Sequence, residues 1–316
     1  MRVMVTGGAG FIGSSIVDKL LDKGYEIIVV DNLSTGKEEN LNPGAEFYKL
    51  DINSPELYEI FEKREIDYLI HHAAQIDVNR SVEAPLFDAG NNIMASINLF
   101  EACCQHGVKK IIYASSAAVY GDPDYLPVDE KHPLRPMSPY GISKHTPEHY
   151  LKIYSDIYGI EYTVFRYSNA YGPRQDPLGE GGVISIFIDQ MLADKKPIIY
   201  GDGENTRDFI HIYDIVEANI RALKQGANEI LNISCNTQNS INELYGIINK
   251  ILGTEITAIY EDQRKGDISH SCLDNSRARE VLGWAPEYDL YSGLVQTISH
   301  YARKRGIEDI VELLED

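Results

Sequence analysis

The sequence predicts an α/β chain: a doubly wound parallel sheet, followed by a smaller mixed α/β lobe. Three observations predict this. Apolar strand-like runs alternate with helical stretches through the first half. The first strand runs straight into a glycine turn, Gly7-Gly8-Ala9-Gly10-Phe11-Ile12-Gly13. After about residue 170 the alternation loosens, punctuated at Gly172-Pro173, Pro177 and Gly201 to Gly203.

Short β-branched and apolar runs place strands over residues 3–6, 26–30, 46–49, 68–71, 110–115 and 162–167. Helical spacing places helices over 11–23, 55–63, 88–106 and 139–158 between them. Helical crossovers between parallel strands cover both faces of one sheet. In the second half, helices are expected over 184–193, 212–225, 241–252 and 290–304. The division expected is a cofactor-binding unit over 1–168 and a second lobe over 169–316, with segments of the latter free to cross back. The acidic end, 308–316, reads as a solvated helix or a frayed tail. Pro147 breaks a local rule, because a proline two turns into a helix cannot donate to the carbonyl of Ser143 and bends the chain there.

Composition narrows the function. A net charge of −19 disfavours nucleic acid, whose binding rests on Lys and Arg contacts to phosphate. It leaves room for a small anion held by a few Arg side chains and backbone N–H groups. No apolar run approaches the roughly 20 residues of a membrane span, and a chain that opens on a strand carries no signal-peptide pattern. Cys103, Cys104, Cys235 and Cys272 lack metal-ligand spacing and read as thiols in a reducing cytoplasm. His71-His72, after a strand and without nearby ligands, reads as structural; no metal is expected.

Gly7-x-x-Gly10-x-x-Gly13, after a strand and opening a helix, is the Rossmann dinucleotide fingerprint. Its glycines allow a tight turn and close approach of a pyrophosphate. Asp31 ends the second strand, where a carboxylate accepts from a ribose hydroxyl and repels a 2′-phosphate, so NAD is expected over NADP. Asp51-Ile52 flank the adenine side, and Ala73-Ala74-Gln75 offer small side chains beneath the cofactor. Tyr140 and Lys144, four residues apart, share a helix face. An ammonium beside a phenol lowers the phenol's pKa from about 10, making Tyr140 a general base. Ser115-Ser116 place hydroxyls at the carboxyl end of a strand, where ligands bind in open α/β sheets. Arg174, Arg207 and Arg264 form a set suited to phosphate.

In order along the chain, Thr6-Gly-Gly-Ala-Gly-Phe-Ile-Gly13, Asp31-Asn32-Leu33, Ser115-Ser-Ala-Ala-Val-Tyr-Gly121, Tyr140-Gly-Ile-Ser-Lys144, Arg166-Tyr-Ser-Asn169-Ala-Tyr-Gly-Pro-Arg174 and Gly201-Asp-Gly-Glu-Asn-Thr-Arg-Asp-Phe209 carry a resemblance. Together they resemble the extended short-chain dehydrogenase/reductases and, more narrowly, the NAD-dependent nucleotide-sugar epimerase/dehydratase family, from Val3 to about Tyr301. The resemblance implies that Ser116, Tyr140 and Lys144 are catalytic. It implies that Phe11, Ile12, Asn32, Ser34, Thr35, Gly36, Asn92 and Tyr167 join the glycine turn and Asp31 around tightly bound NAD. On the sugar-nucleotide side it implies Asn169, Gly182, Val183, Tyr200, Arg207, Arg264, Asp267 and Ser271.

Dehydratases and decarboxylases of the family carry acids where this chain has Ala117-Ala118, which leaves proton transfer at O4 alone and resembles the UDP-hexose 4-epimerases. The implied reaction oxidises C4 to a ketone, turns the sugar and reduces it on the other face, with NAD regenerated each turnover. A small residue at Ser271, four after Asp267, implies that N-acetylated sugars are accepted beside UDP-glucose and UDP-galactose. UDP-glucuronate or UDP-pentose epimerisation is the nearest alternative. An ordinary dehydrogenase would need exchangeable NAD, and a non-catalytic NAD-binding regulator would be expected to lose the Tyr-Lys pair. The resemblance also implies a homodimer through helices 88–106 and 139–158, where Ile93, Ile97, Phe100, Tyr150 and Tyr154 recur at helical spacing.

Overall fold

The structure, a computed structural model, describes residues 1–178, 182–263 and 267–315. The first half runs β1 (Arg2–Thr6), α1 (Phe11–Asp22), β2 (Glu26–Asp31), β3 (Glu46–Lys49), α2 (Glu56–Lys63), β4 (Tyr68–His71), α3 (Val78–Glu83), α4 (Pro85–Ala89), a π-helical turn Gly90–Met94, α5 (Ala95–Gln105), β5 (Lys110–Ser116), α6 (Pro139–Tyr158) and β6 (Glu161–Tyr167). The second half runs β7 (Asn169–Tyr171), α7 (Val183–Met191), β8 (Ile198–Tyr200), β9 (Thr206–Arg207), β10 (Phe209–His211), α8 (Ile212–Ala222), β11 (Glu229–Ile233), β12 (Asn239–Ser240), α9 (Ile241–Leu252), β13 (Ile259–Glu261), α10 (Ser276–Leu282), α11 (Leu290–Arg305) and α12 (Glu308–Glu315).

Seven strands form one parallel sheet in the order β11-β6-β5-β4-β1-β2-β3. The direction of winding reverses between β1 and β4, the point at which open α/β sheets leave a ligand crevice beyond their carboxyl ends. Continuous burial of Val3 to Thr6 and of Ile27 to Asp31 explains their unbroken apolar runs, since both sheet faces are covered. One face packs on α1 and α8, through Ile16, Leu20, Ile215 and Phe165. The other packs on α2, α5 and α6, through Leu57, Leu99, Phe100 and Leu151.

The chain past residue 169 does not stay in one lobe. Helix α8 packs on α1, and β11 pairs with β6 in register Leu231↔Phe165, completing the sheet. The remainder builds a third core from α7, α9 and α11, around Phe187, Ile248 and Ile298. Three two-stranded pairs edge it: β7 with β10, β9 with β12 and β8 with β13.

Two expectations need correction. The helix over 88–106 is interrupted by the π turn, which lets Asn92, Ser96 and Asp88 face inward together. The acidic end is neither solvated nor frayed along its apolar side, because Val311 is buried and Ile310 and Leu314 pack on the third core. Helix α6 starts where the sequence says: Ser138 caps it by accepting from Gly141 N at 3.1 Å, Pro139 follows, and Gly159 ends it at φ +72°. Pro147 lies buried inside it. Among the described residues no helix is long and apolar enough to cross a membrane.

Candidate active site

The glycine turn is shaped by contacts that exclude side chains. Gly7 has φ +71°, and a Cβ there would lie 2.6 Å from Ala73 N. A Cβ on Gly13 would lie 2.1 Å from Gly7 O, so the turn folds directly onto α1. At Gly10 a Cβ would meet only Gly7 O, at 3.2 Å, and otherwise open space. Gly10 also caps α1 without a side-chain hydrogen bond, leaving the helix's first N–H groups directed outward. This is a cradle for an anion.

Asp31 is buried at the end of β2. Its Oδ2 accepts from Ala9 N at 3.0 Å and its Oδ1 from Leu33 N at 2.8 Å. Gly36 passes so close that a Cβ would stand 2.8 Å from Asp31 Oδ1. One cleft gathers the turn with Phe11 and Ile12, then Asp31, Asn32, Ser34 and Thr35, then Asp51-Ile52 and Ala73-Ala74.

Three residues expected at the cofactor sit behind that wall. Asn92 exchanges hydrogen bonds with the Gln75 backbone, at 2.7 and 2.9 Å, and its Nδ2 also reaches Asp88 Oδ1 and Ser143 Oγ. Asn91 lines the cleft in place of Asn92, because the π turn rotates its successor inward. Gln75 is buried, its Nε2 donating to Asp88 Oδ1 at 2.8 Å. Tyr167 is buried in the sheet core, its hydroxyl accepting from Asn219 Nδ2 at 2.8 Å and lying 3.1 Å from His72 Nε2. His72 itself lines the cleft, and burial drives its pKa down to about 3, so the ring is neutral. Its position at the carboxyl end of β4 was the signal for that role. His71, by contrast, sits in the core between Thr6 Oγ1 and Ser96 Oγ.

The candidate proton-handling set stands at the carboxyl end of β5. Ser116 Oγ accepts from Ala118 N at 3.2 Å and starts the short 3₁₀ turn Ala117–Val119. Helix α6 is pressed against this turn: a Cβ on Gly141 would lie 2.7 Å from Ala118 O. Glycine after Tyr140 is therefore what lets the helix start approach Ser116. Tyr140 N donates to the buried Ser81 Oγ at 3.1 Å, which fastens α3 to the same helix start.

Lys144 is buried, and burial lowers its pKa to about 8, while the Glu148 and Asp88 carboxylates hold it up. One turn on, Glu148 would be raised by burial. Bonds from His145 and Arg166 override that and bring it down to about 2. Arg166 reaches both Glu148 oxygens, at 3.1 and 2.6 Å, and Ser115 Oγ donates to Oε1 at 2.5 Å. Strands β5 and β6 are thereby tied to α6.

In the second lobe, Arg207 reaches Asp267 at 3.3 Å, and Ser271 N donates to Thr206 O at 3.2 Å, so these four lie side by side. Asn169 stands on the adjoining strand, paired with Phe209. Gly182 leads into α7 at Val183, and Tyr200 closes β8. Arg174 departs from the expected set: it pairs with Asp18 at 2.7 Å and donates to Ser14 Oγ, so it clamps the second lobe to α1. Arg264 lies outside the described residues. Among the described residues no three His, Cys, Asp or Glu side chains gather as metal ligands.

Residues 3–234 match the NAD dependent epimerase/dehydratase family. The chain belongs to the NAD-dependent epimerase/dehydratase family. A Methanocaldococcus jannaschii protein provisionally named UDP-glucose 4-epimerase is 50% identical over 94% of this chain and 97% of its own. The Thermotoga maritima UDP-glucose 4-epimerase, solved with UDP-glucose, superposes with TM-score 0.95 at 44% identity, over 96% of this chain and 100% of its own. The UDP-N-acetylglucosamine 4-epimerase of Methanobrevibacter ruminantium, solved with UDP-N-acetylmuramic acid, superposes with TM-score 0.92 at 39% identity, over 96% and 98%. NAD is the cofactor of this epimerase/dehydratase-family protein, and its residues fit that group. The open side of Gly10 and the free α1 N–H groups suit the pyrophosphate, and the Asp31 carboxylate suits a ribose diol.

Proposed function

We propose that this protein inverts C4 of UDP-hexoses, interconverting UDP-glucose with UDP-galactose and UDP-N-acetylglucosamine with UDP-N-acetylgalactosamine. The observation that carries this reading is the start of the Tyr140–Lys144 helix docked on the Ala117–Val119 turn that follows Ser116, with Ala117 and Ala118 between strand and helix. No acid stands there to expel water from C6, so proton transfer is confined to O4.

Tyr140 takes the O4 proton, directly or through Ser116, and returns it when the sugar is reduced. Lys144 favours the phenolate by its charge. NAD, when bound, supplies hydride acceptance and return at C4. Arg207 and Asn169 hold the diphosphate while the hexose turns about it. Ser271, small where a Tyr would narrow the pocket, leaves room for a 2-acetamido group. The likeness to two 4-epimerases over nearly the whole chain supports this reading.

The test is incubation with a panel of UDP-sugars, UDP-glucuronate and UDP-pentoses included, with no added NAD, followed by chromatographic separation of epimers. Turnover of the hexose pairs is expected. Conversion of UDP-glucuronate alone, or a requirement for added NAD, refutes the reading.

We place the protein in the cytoplasm as a homodimer. Four free cysteines and no disulfide suit a reducing compartment. Phe100 and Tyr154 are buried against the sheet, so the partner-facing side chains are Met94, Ile142, Ile153 and Ile157, exposed on the π turn and α6. A monomer by light scattering at micromolar concentration counts against this assembly.

A further inference from the structure

Asp208 is fully buried, has no cation beside it among the hydrogen bonds and ion pairs of the described residues, and takes no part in the chemistry above. Burial without a countercharge is costly, and such a group is kept where it organises backbone. Its Oδ1 accepts from Cys235 N at 3.0 Å, and its Oδ2 from Asn236 N at 3.2 Å and Leu273 N at 3.1 Å. Its own carbonyl accepts from Asn169 N at 2.9 Å. Next to it, Arg207 pairs with Asn239 across β9 and β12, and Thr206 exchanges backbone bonds with Ser269 and Ser271.

Two segments distant in sequence therefore converge on the Asp208 carboxylate, and a third, at Asn169, on its carbonyl. Asn169 is bonded by that carbonyl, Arg207 is the neighbour of Asp208 in the chain, and Ser271 lies two residues before Leu273, which the carboxylate bonds. We propose that Asp208 is the positioning residue of the nucleotide-sugar site, holding Asn169, Arg207 and the Ser271 segment in binding register before substrate arrives. This rests on the UDP-hexose reading for the identity of the ligand.

A group that merely stabilised the fold would change the melting temperature and leave affinity alone. A positioning group changes affinity for the nucleotide while NAD, bound to the other unit, stays put. In Asp208→Asn one oxygen remains, and the new NH2 must face a backbone N–H. In Asp208→Ala all three amides are left bare. UDP is the probe, titrated calorimetrically into the NAD-loaded protein. The dissociation constant is expected to rise about tenfold in Asp208→Asn and about 10²-fold in Asp208→Ala. The NAD released per chain on denaturation is expected to match wild type.

Hydrogen exchange of the unliganded wild-type holoenzyme gives a readout that needs no variant. Amides of Cys235, Asn236 and Leu273 are expected to be protected without UDP, and in Asp208→Asn the loss of protection is expected to be confined to segments 235–237 and 269–273. Unprotected amides in wild type, or a UDP affinity within twofold of wild type in a folded, NAD-loaded variant, overturn the proposal. Wild type that binds no UDP overturns the UDP-hexose reading instead, and Asp208 is then judged on the exchange pattern.

Discussion

The Tyr113 hydroxyl donates to the backbone carbonyl of Lys144 at 3.1 Å, while the Lys144 ammonium stands 5.0 Å from the centroid of the same ring. Ser115 Oγ lies 3.5 Å from the same carbonyl, so strand hydroxyls grip α6 at Lys144. The ring excludes water and offers the ammonium its electron-rich face. Tyr113 thus guides Lys144 towards the carboxyl end of the sheet.

Tyr140→Phe removes the proposed proton acceptor and keeps the ring. A fall in kcat of about 10²-fold or more is expected, with NAD content unchanged. Lys144→Ala is expected to lose as much activity and also to hold NAD less tightly. Steady-state kinetics and assay of nucleotide released on denaturation check both. Near-full activity in Tyr140→Phe sinks the mechanism.

Activity should have a descending alkaline limb near pH 8. Burial, resisted by Glu148 and Asp88, sets the Lys144 pKa at about 8, so the ammonium is present below that pH and lost as pH rises through it. The stability effect has the opposite sense: the cost of burying the ammonium is fully present below about pH 8 and fades as pH climbs towards the unfolded value of about 10.4. Asp88→Asn removes one supporting charge and is expected to move the limb to lower pH. A limb that does not move shows that Asp88 does not act on Lys144.

Two glycines of one motif should fail differently. Gly13→Ala drives a Cβ to 2.1 Å from Gly7 O and is expected to lower stability by about 1–3 kcal/mol or more. Gly10→Ala meets only one oxygen, at 3.2 Å, and fills the cradle, so the melting temperature should hold while NAD is lost. Thermal unfolding of the NAD-free protein beside NAD content separates the two. An NAD-loaded Gly10→Ala removes the cradle from the argument.

Ser271→Tyr is expected to narrow the proposed sugar pocket. Turnover of the N-acetylated pair is expected to fall at least tenfold more than that of the plain pair, the scale of a steric pocket difference. Equal losses on both pairs, measured as kcat/KM, mean that residue 271 does not gate the pocket.

Much of the fold is legible because it is local. Strand Tyr68–His71 and helices Pro139–Tyr158 and Ile241–Leu252 carry apolar periodicity and capping residues that need no tertiary information. Strand β11 escapes, since Glu-Ile-Leu-Asn-Ile is short and only its partner β6 makes it a strand. The π turn has no compositional mark, so Asn91 and Asn92 exchange roles. The glycine turn reveals itself because backbone geometry forbids other residues. Asp208 does not, since its partners Cys235 and Leu273 are assembled only by the fold.

The return of α8 and β11 to the first sheet has a consequence for biosynthesis. When the ribosome has made the chain as far as β6, that strand is still an open edge and the α1 face still lacks α8. Both wait until residues 212–233 emerge, several seconds later at about 5–20 residues per second. Through that interval the nascent cofactor-binding unit offers an unpaired strand edge and a bare apolar face to other chains. The vulnerable species in the life of this protein is accordingly the half-made chain rather than the finished enzyme. A stop codon just after β6 should yield aggregate, whereas one just beyond α10 should yield a chain whose sheet is closed.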